Sequence, residues 1–419
     1  MATVVSSTRV RVFSSLAVPN YRLFAGGQVV SLAGTWMQRV AQDWLVLDLS
    51  GGSATALGVA AALQFSPTIL LSLYGGVLAD RIDKRRMLVA LQAGMGLCAL
   101  VLGLAVVGGV VALWHVYMLC AVLGCFSALE VPVRQAFVVE LVGPEQVGNA
   151  VALNSMNFNL ARIVGPSIAG VLIAAIGSGW VFLANAASFA AVIAGLLLMD
   201  PGRLHRAEPV PREPGQLRAG LRYVRDRPDL VAVLALVFLV STFGINFYLT
   251  LAVLARTVFA RGPETYGLFT ALLAVGSVCG AVVAARRAGR PRLRAVTAFA
   301  LLFGVLLTLL GVMPTVTLAC VTLVPLGIAT LLFTTAANAT VQLSVDPALR
   351  GRIMGLYILL FLGGTPLGAP LLGIVAERFG GRSPLVAGGA VTIASVVVVA
   401  LVLWWRGRSR ITTCADRGG

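Results

Sequence analysis

The chain is dominated by a succession of long apolar runs that carry almost no charge and are separated by short polar connectors. A helix needs about 20 apolar residues to cross the hydrocarbon of a bilayer. Only helices and closed barrels can cross, because lipid offers no partner to a free N–H or C=O. Barrel strands alternate in character over about 10 residues, and these runs are longer and continuously apolar. The predicted spans are 23–47, 55–78, 87–108, 114–137, 147–173, 180–199, 230–255, 264–286, 295–313, 316–342, 352–376 and 384–405. The reading is an all-α membrane protein with twelve transmembrane helices. Composition agrees: 11% of the 419 residues are charged, where soluble domains average about 25%. Residues 1–22 are polar and basic, and the run that follows is too long for the apolar part of a cleaved signal, so it stays as the first span.

The net charge of +16 raises the question of nucleic acid. The charges fall in clusters between apolar runs, with no basic face and no interleaved stacking aromatics, so no nucleic-acid partner is expected. The clusters follow the positive-inside rule instead. One side collects Arg9, Arg11 and Arg22, then Arg81, Lys84, Arg85 and Arg86, then Arg134, the arginines of 200–229, those of 286–294, Arg350 and Arg352, and the tail. The other side has Arg256, Arg261, Arg378 and Arg382. Both termini are therefore expected in the cytoplasm, and the bilayer is a bacterial cytoplasmic membrane. Five cysteines (Cys98, Cys120, Cys125, Cys279, Cys320) lie in apolar segments, Cys414 lies in the tail, and His115 and His205 are the two histidines. No spacing suits a metal, and no metal or cofactor is expected.

Comparison of the chain with itself at an offset of 203 residues pairs Gly124 with Gly327, Pro144 with Pro347, Gly148 with Gly351, Gly165 with Gly368, Gly170 with Gly373 and Gly177 with Gly380. The matched loops 138–148 and 341–351 lie on the same side, so the repeat holds an even number of spans. Two parallel six-helix pseudo-repeats satisfy this. The expected organisation is a cytoplasmic segment 1–22, a six-helix bundle 23–199, a linker 200–229, a second bundle 230–405 and a cytoplasmic tail 406–419. The linker is broken by Pro201, Pro209, Pro211 and Pro214 before a short amphipathic helix over 216–224.

After the second span, Gly76 is followed by Leu78, Ala79, Asp80 and Arg81 and then by Lys84, Arg85 and Arg86. In this topological place the stretch resembles the loop signature of the major facilitator superfamily, with Asp83 where a glycine is usual. The resemblance implies a conformational latch made by Gly76, Asp80, Arg81, Lys84 and Arg85, with Arg134 as a partner for Asp80. In the fifth span Gly165, Pro166 and Gly170 are similar to the glycine–proline motif of superfamily antiporters, with Ala152, Ala161 and Ala169 in place of other glycines. That likeness implies a kinked, tightly packed helix and export rather than import. The stretches 130–134, 143–145 and 162–166 resemble the branch that holds the enterobactin exporter and macrolide efflux proteins.

Charge inside a span is costly and marks a functional hypothesis. Arg39 and Asp43 lie one turn apart in the first span, as do Glu130 and Arg134 in the fourth. Arg162 lies about 22 Å along the fifth. Asp43 or Glu130 could take up a proton, with Arg39 or Arg162 tuning it; the bland alternative is a structural ion pair. The neutral polar residues Asn154, Asn157, Asn246, Tyr248 and Asn338 could line a cavity. Few charges and many apolar walls suit an amphipathic or hydrophobic molecule.

The chain shows no nucleotide loop, metal cluster or nucleophile–base pair, so no enzyme is expected. The reading is a monomeric secondary transporter that exports a small organic molecule (a drug, antibiotic, siderophore or secondary metabolite) in exchange for protons, of the multidrug-resistance antiporter type. An importer with the same fold and a non-transporting receptor are the alternatives.

Overall fold

A computed structural model describes residues 13–205, 222–225, 227–287, 293–346 and 349–415, with side chains outside the description at 72–81 and 403–415. The long helices are α1 (Pro19–Leu49), α2 (Ala54–Arg81), α3 (Lys84–Val107), α4 (Leu113–Val142), α5 (Val147–Ile176) and α6 (Ser178–Leu197). They continue with α7 (Pro228–Val258), α8 (Pro263–Arg286), α9 (Leu293–Val312), α10 (Val316–Ser344), α11 (Arg350–Phe379) and α12 (Ser383–Ala415). Most run several residues past the expected span at one or both ends, because a helix does not stop where the hydrocarbon does. Of the linker helix expected over 216–224, only 222–224 falls within the described residues, and it is helical.

Among the described residues eleven helices, α2 to α12, are long and apolar enough to cross a membrane. α1 is long enough, at 31 residues or about 46 Å, but Gln38, Arg39, Gln42 and Asp43 dilute its apolar content. These residues are not on a solvated face: Gln38, Gln42 and Asp43 are buried. The polarity that lowers the hydropathy of α1 is turned into the protein.

α7 is a broken helix. Its first segment, Pro228–Phe243, ends at Gly244, and a second segment runs Phe247–Val253 before a π turn at Leu254–Val258. The Asn246 amide crosses the break, its Nδ2 donating to the carbonyls of Thr242 at 2.7 Å and Ser241 at 3.2 Å. A break inside a membrane is tolerated where side chains satisfy the freed backbone.

In the first group, α1 packs on α5 and α6, α2 on α4, and α3 on α4 and α6. In the second, α7 packs on α11 and α12, α8 on α10, and α9 on α10 and α12. The groups meet where α2 packs on α11 and α5 on α8. Glycines fix the close crossings. A Cβ on Gly165 would lie 2.6 Å from the Trp36 Cβ of α1, and one on Gly368 would overlap the Thr242 carbonyl of α7. A Cβ on Gly170 would lie 2.8 Å from Pro263 O of α8, and one on Gly373 2.6 Å from Ala54 O of α2.

The groups are tied at the end that carries the 50–53, 259–262 and 380–382 connections. Asp48 pairs with Arg256. The Glu377 carboxylate accepts from the Ser53 hydroxyl and from the Thr55 N–H at 3.1 Å. At the arginine-rich end the described ion pairs stay within one group, as in Lys84–Glu140 at 2.7 Å and Arg227–Asp229 at 2.7 Å.

Candidate functional site

The boundary between the groups holds a buried cluster. The Tyr266 hydroxyl of α8 donates to Asp43 Oδ2 of α1 at 2.6 Å and lies 3.3 Å from the Tyr248 carbonyl of α7. Arg39, one turn before Asp43, turns its guanidinium onto the rings of Tyr248 at 4.5 Å and Phe65 at 4.8 Å. Such cation–π contacts gain strength where water is excluded. Trp36 packs obliquely on Tyr248, ring centroids 6.2 Å apart. Beside them a small cavity of about 70 Å³ is lined by Arg162, Trp36, Tyr248 and Thr270. Of the intramembrane charges read from the sequence, the structure thus gathers Arg39, Asp43 and Arg162 around one boundary.

Glu130 and Arg134 lie elsewhere, inside the first group. Glu130 Oε1 accepts from Arg134 Nε at 2.8 Å and from Gln92 Nε2 at 3.3 Å. They line a cavity of about 220 Å³ with Gln28, Gln38, Arg39 and Gln64, among others. This amide-rich lining was not anticipated. Its signal is present in α1, where Gln28, Ser31, Thr35, Gln38 and Gln42 recur at intervals of three and four residues. That is one stripe along a helix, here polar where a membrane helix is usually apolar. Tyr266 was also missed, because nothing in its neighbourhood shows that it faces an acid 223 residues away.

Gly76, Asp80 and Arg81 lie where side chains are outside the description. The other residues of the expected latch are held within the first group: Lys84 on Glu140, the Arg85 guanidinium on the carbonyls of Leu196 and Leu197 at 2.6 and 2.8 Å, and Arg134 on Glu130. Asp83 caps α3, accepting from the Arg86 N–H at 3.0 Å. Gly165, Pro166 and Gly170 are buried, and their stretch of α5 packs on α1 and α8.

The neutral candidates divide. Tyr248 lines the boundary cavity. Asn154 and Asn157 face a separate cavity of about 120 Å³ with Tyr21, Phe24 and Gln28. Asn246 is 2% exposed and occupied with its own helix break. Asn338 accepts from Gln342 on the same helix at 2.9 Å.

The architecture is a bundle of apolar helices with a broken seventh member and a few charges set within its spans. The backbone has the fold of major facilitator transporters. It superposes on a bacterial homologue of the human lysosomal transporter Spinster with a TM-score of 0.68 at 15% identity, covering 94% of this chain and 95% of that one. It superposes on the nucleoside transporter NupG with a TM-score of 0.71 at 12% identity, covering 94% and 99%. The profile of the transmembrane secretion effector family matches residues 11–409, and the chain belongs to that family of the major facilitator superfamily. It is a multi-pass protein of the cell membrane. The staphyloferrin A transporter of Staphylococcus aureus is 26% identical over 86% of this chain and 90% of its own length. The enterobactin exporter of Citrobacter koseri is 26% identical over 84% and 83%.

Proposed function

We propose that the chain exports a small amphipathic or hydrophobic organic molecule in exchange for protons, by alternating access between two six-helix repeats. The observation that carries this is the buried hydrogen bond from Tyr266 to Asp43, which joins the two groups through a buried acid at their boundary. A carboxylate accepts a hydrogen bond more strongly than a neutral carboxyl does. A proton arriving on Asp43 weakens that tie. A proton leaving restores it. The protonation of one residue thus biases which face of the boundary stays closed. Arg39 stands within the same cluster, one turn from Asp43, with Arg162 on the wall of the adjacent cavity. Glu130 is the second proton candidate; its close pairing with Arg134 favours a standing structural role.

Several facts support the wider reading. The packing pairs recur six helices along, and glycines matched at the 203-residue offset meet matched helices, Gly165 on α1 and Gly368 on α7. This favours parallel repeats, with α1 as a twelfth span and both termini in the cytoplasm. On that orientation the tied end is the outer one, which supports reading this state as inward-facing. The loop 76–86 then serves as a latch in the opposite state, when the arginine-rich ends approach. Export is favoured by the glycine–proline stretch of α5 and by the likeness to an enterobactin exporter, which also supports siderophores as candidate substrates.

The test is transport in inside-out vesicles. With an acidic lumen, an amphipathic probe panel should yield at least one compound that accumulates and is released on collapse of the gradient. Absence of gradient-dependent movement for any compound overturns the antiport reading. Accumulation only in right-side-out vesicles turns the exporter into an importer.

A further inference from the structure

The cavity inside the first group contains two polar atoms that the protein leaves without partners. Gln28 Nε2 and Gln92 Oε1 have none, though Gln28 is 4% and Gln92 3% exposed. A buried polar atom left unpaired costs free energy unless something enters to meet it. The remaining amides there serve one another: Gln42 Nε2 donates to Gln64 at 2.9 Å, and Asn185 Nδ2 to Gln38 at 2.5 Å. The orientation of Gln92 follows from its neighbour. Its amino group faces the Glu130 carboxylate, so its oxygen is left as an acceptor in search of a donor. Gln28 is the reverse, a donor in search of an acceptor. Arg134 spends its Nε on Glu130, and among the described residues its terminal nitrogens meet no second acceptor. Glu130 matches Arg134, and Arg39 adds a second guanidinium to the lining, shared with the Asp43 cluster.

We propose that this pocket takes the polar end of the carried molecule, and that this end is an organic anion with a carboxylate-like acceptor group beside a hydroxyl donor. The acceptor oxygens meet Arg134 and Gln28, and the hydroxyl meets Gln92. Met95, Leu123 and Phe189 supply apolar wall around them. At about 220 Å³ the pocket is smaller than the 300 Å³ or more typical of a whole drug-sized ligand, so it holds one end. Trp36 lines both this pocket and the boundary cavity of Arg162 and Tyr248, so the remainder of the molecule has a direct course towards the boundary. The pocket is walled by α1 to α6, and Trp36 and Arg39 on its wall also touch Tyr248 at the boundary. The inference rests on the reading of the chain as an exporter of organic molecules.

The test is isothermal titration of the full chain in lipid nanodiscs with three probes: mandelate, phenylacetate (the same acid without the hydroxyl) and the cation benzyltrimethylammonium. Mandelate should bind saturably and about tenfold tighter than phenylacetate, one hydrogen bond's worth, with no saturable binding of the cation. Gln92→Met should weaken mandelate about tenfold and leave phenylacetate unchanged. Gln28→Met should weaken both acids by a similar factor. No saturable mandelate binding, as from a pocket that holds only water, overturns the proposal. So does equal binding of the cation, or variants that bind mandelate as the native chain does. The mandelate-to-phenylacetate ratio needs no variant and stands even where a variant fails to fold. The titration needs no gradient: selective anion binding without proton-driven movement fails the antiport reading alone, and proton-driven movement without anion binding fails the pocket alone.

Discussion

The two groups of six helices treat their polar residues differently. In α7 to α12 hydroxyls turn back onto their own helix. Thr242, Thr270, Thr322, Thr330, Thr340 and Thr392 each donate to the carbonyl four residues earlier. Such back-bonding spends the hydroxyl proton within one helix and leaves only the oxygen lone pairs for a partner. In α1 to α6 Thr35, Ser66 and Ser167 do the same, but amides and charges also reach between helices: Gln38 with Asn185, Gln42 with Gln64, and Gln92 with Glu130. A longer side chain cannot close on its own turn as readily and must find a partner across a gap. One half of the molecule is therefore self-contained, and the other is built around cavities with charge in them. Asp43 is where the second kind meets the first.

The largest effect is expected at that meeting point. Asp43→Asn should abolish gradient-driven transport, by about a hundredfold or more on the scale of lost acid–base groups, while substrate exchange without a gradient persists. Tyr266→Phe removes the tie but keeps the acid and should cost less, near tenfold; equal losses would mean that the acid works only through the tyrosine. Both are read in proteoliposomes with and without an imposed gradient.

Glu130→Gln tests the interior of the first half. It leaves Arg134 buried without its counter-charge, which in buried pairs costs about 3–5 kcal/mol. Thermal unfolding in detergent should show the loss, together with weaker ligand binding. A variant as stable as the native chain would make Glu130 a group that does not need its charge, and would move the proton role to it from Asp43.

Gly368→Ala should lower stability by about 1–3 kcal/mol, the usual cost of overpacking, because the new methyl meets the Thr242 carbonyl. Gly165→Ala should behave alike if the halves are repeats, whereas Gly148→Ala and Gly351→Ala, with open space around them, should be near neutral.

The smallest effects belong to the exposed tie and to the self-contained half. Asp48→Asn breaks an ion pair with its carboxylate side 46% exposed, and such pairs contribute about 0–1 kcal/mol. Thr322→Val deletes a bond that serves only its own helix, for about 1 kcal/mol, with transport unchanged. A transport defect from Thr322→Val would show that the second half is less passive than its hydrogen bonds imply.

Much of the architecture was legible in advance because the bilayer allows so few solutions. Apolar length set where helices run, and tight packing was expected of the glycine–proline stretch in α5, where Gly165 meets Trp36; the Gly368 crossing on Thr242 was not expected. The break in α7 was not foreseen. Its Gly244 and Asn246 sit in a run apolar enough to read as one helix, and only the structure shows the Asn246 Nδ2 crossing the break. The site was legible in its charges and not in its amides. Arg39 and Asp43 stand out in an apolar background, whereas Gln28 and Gln92 are ordinary residues until they are seen facing one cavity.

The sequence alone determined that the chain is a bundle of apolar helices and which superfamily it joins, since both follow from hydropathy along the chain and from a local loop signature. Tertiary structure alone decided that Tyr266 reaches Asp43, that Arg39 rests on aromatic rings, and that two amides are left unpaired beside an arginine. Those facts depend on which faces of distant helices meet. A helix presents every face its sequence writes, and packing selects the ones that touch.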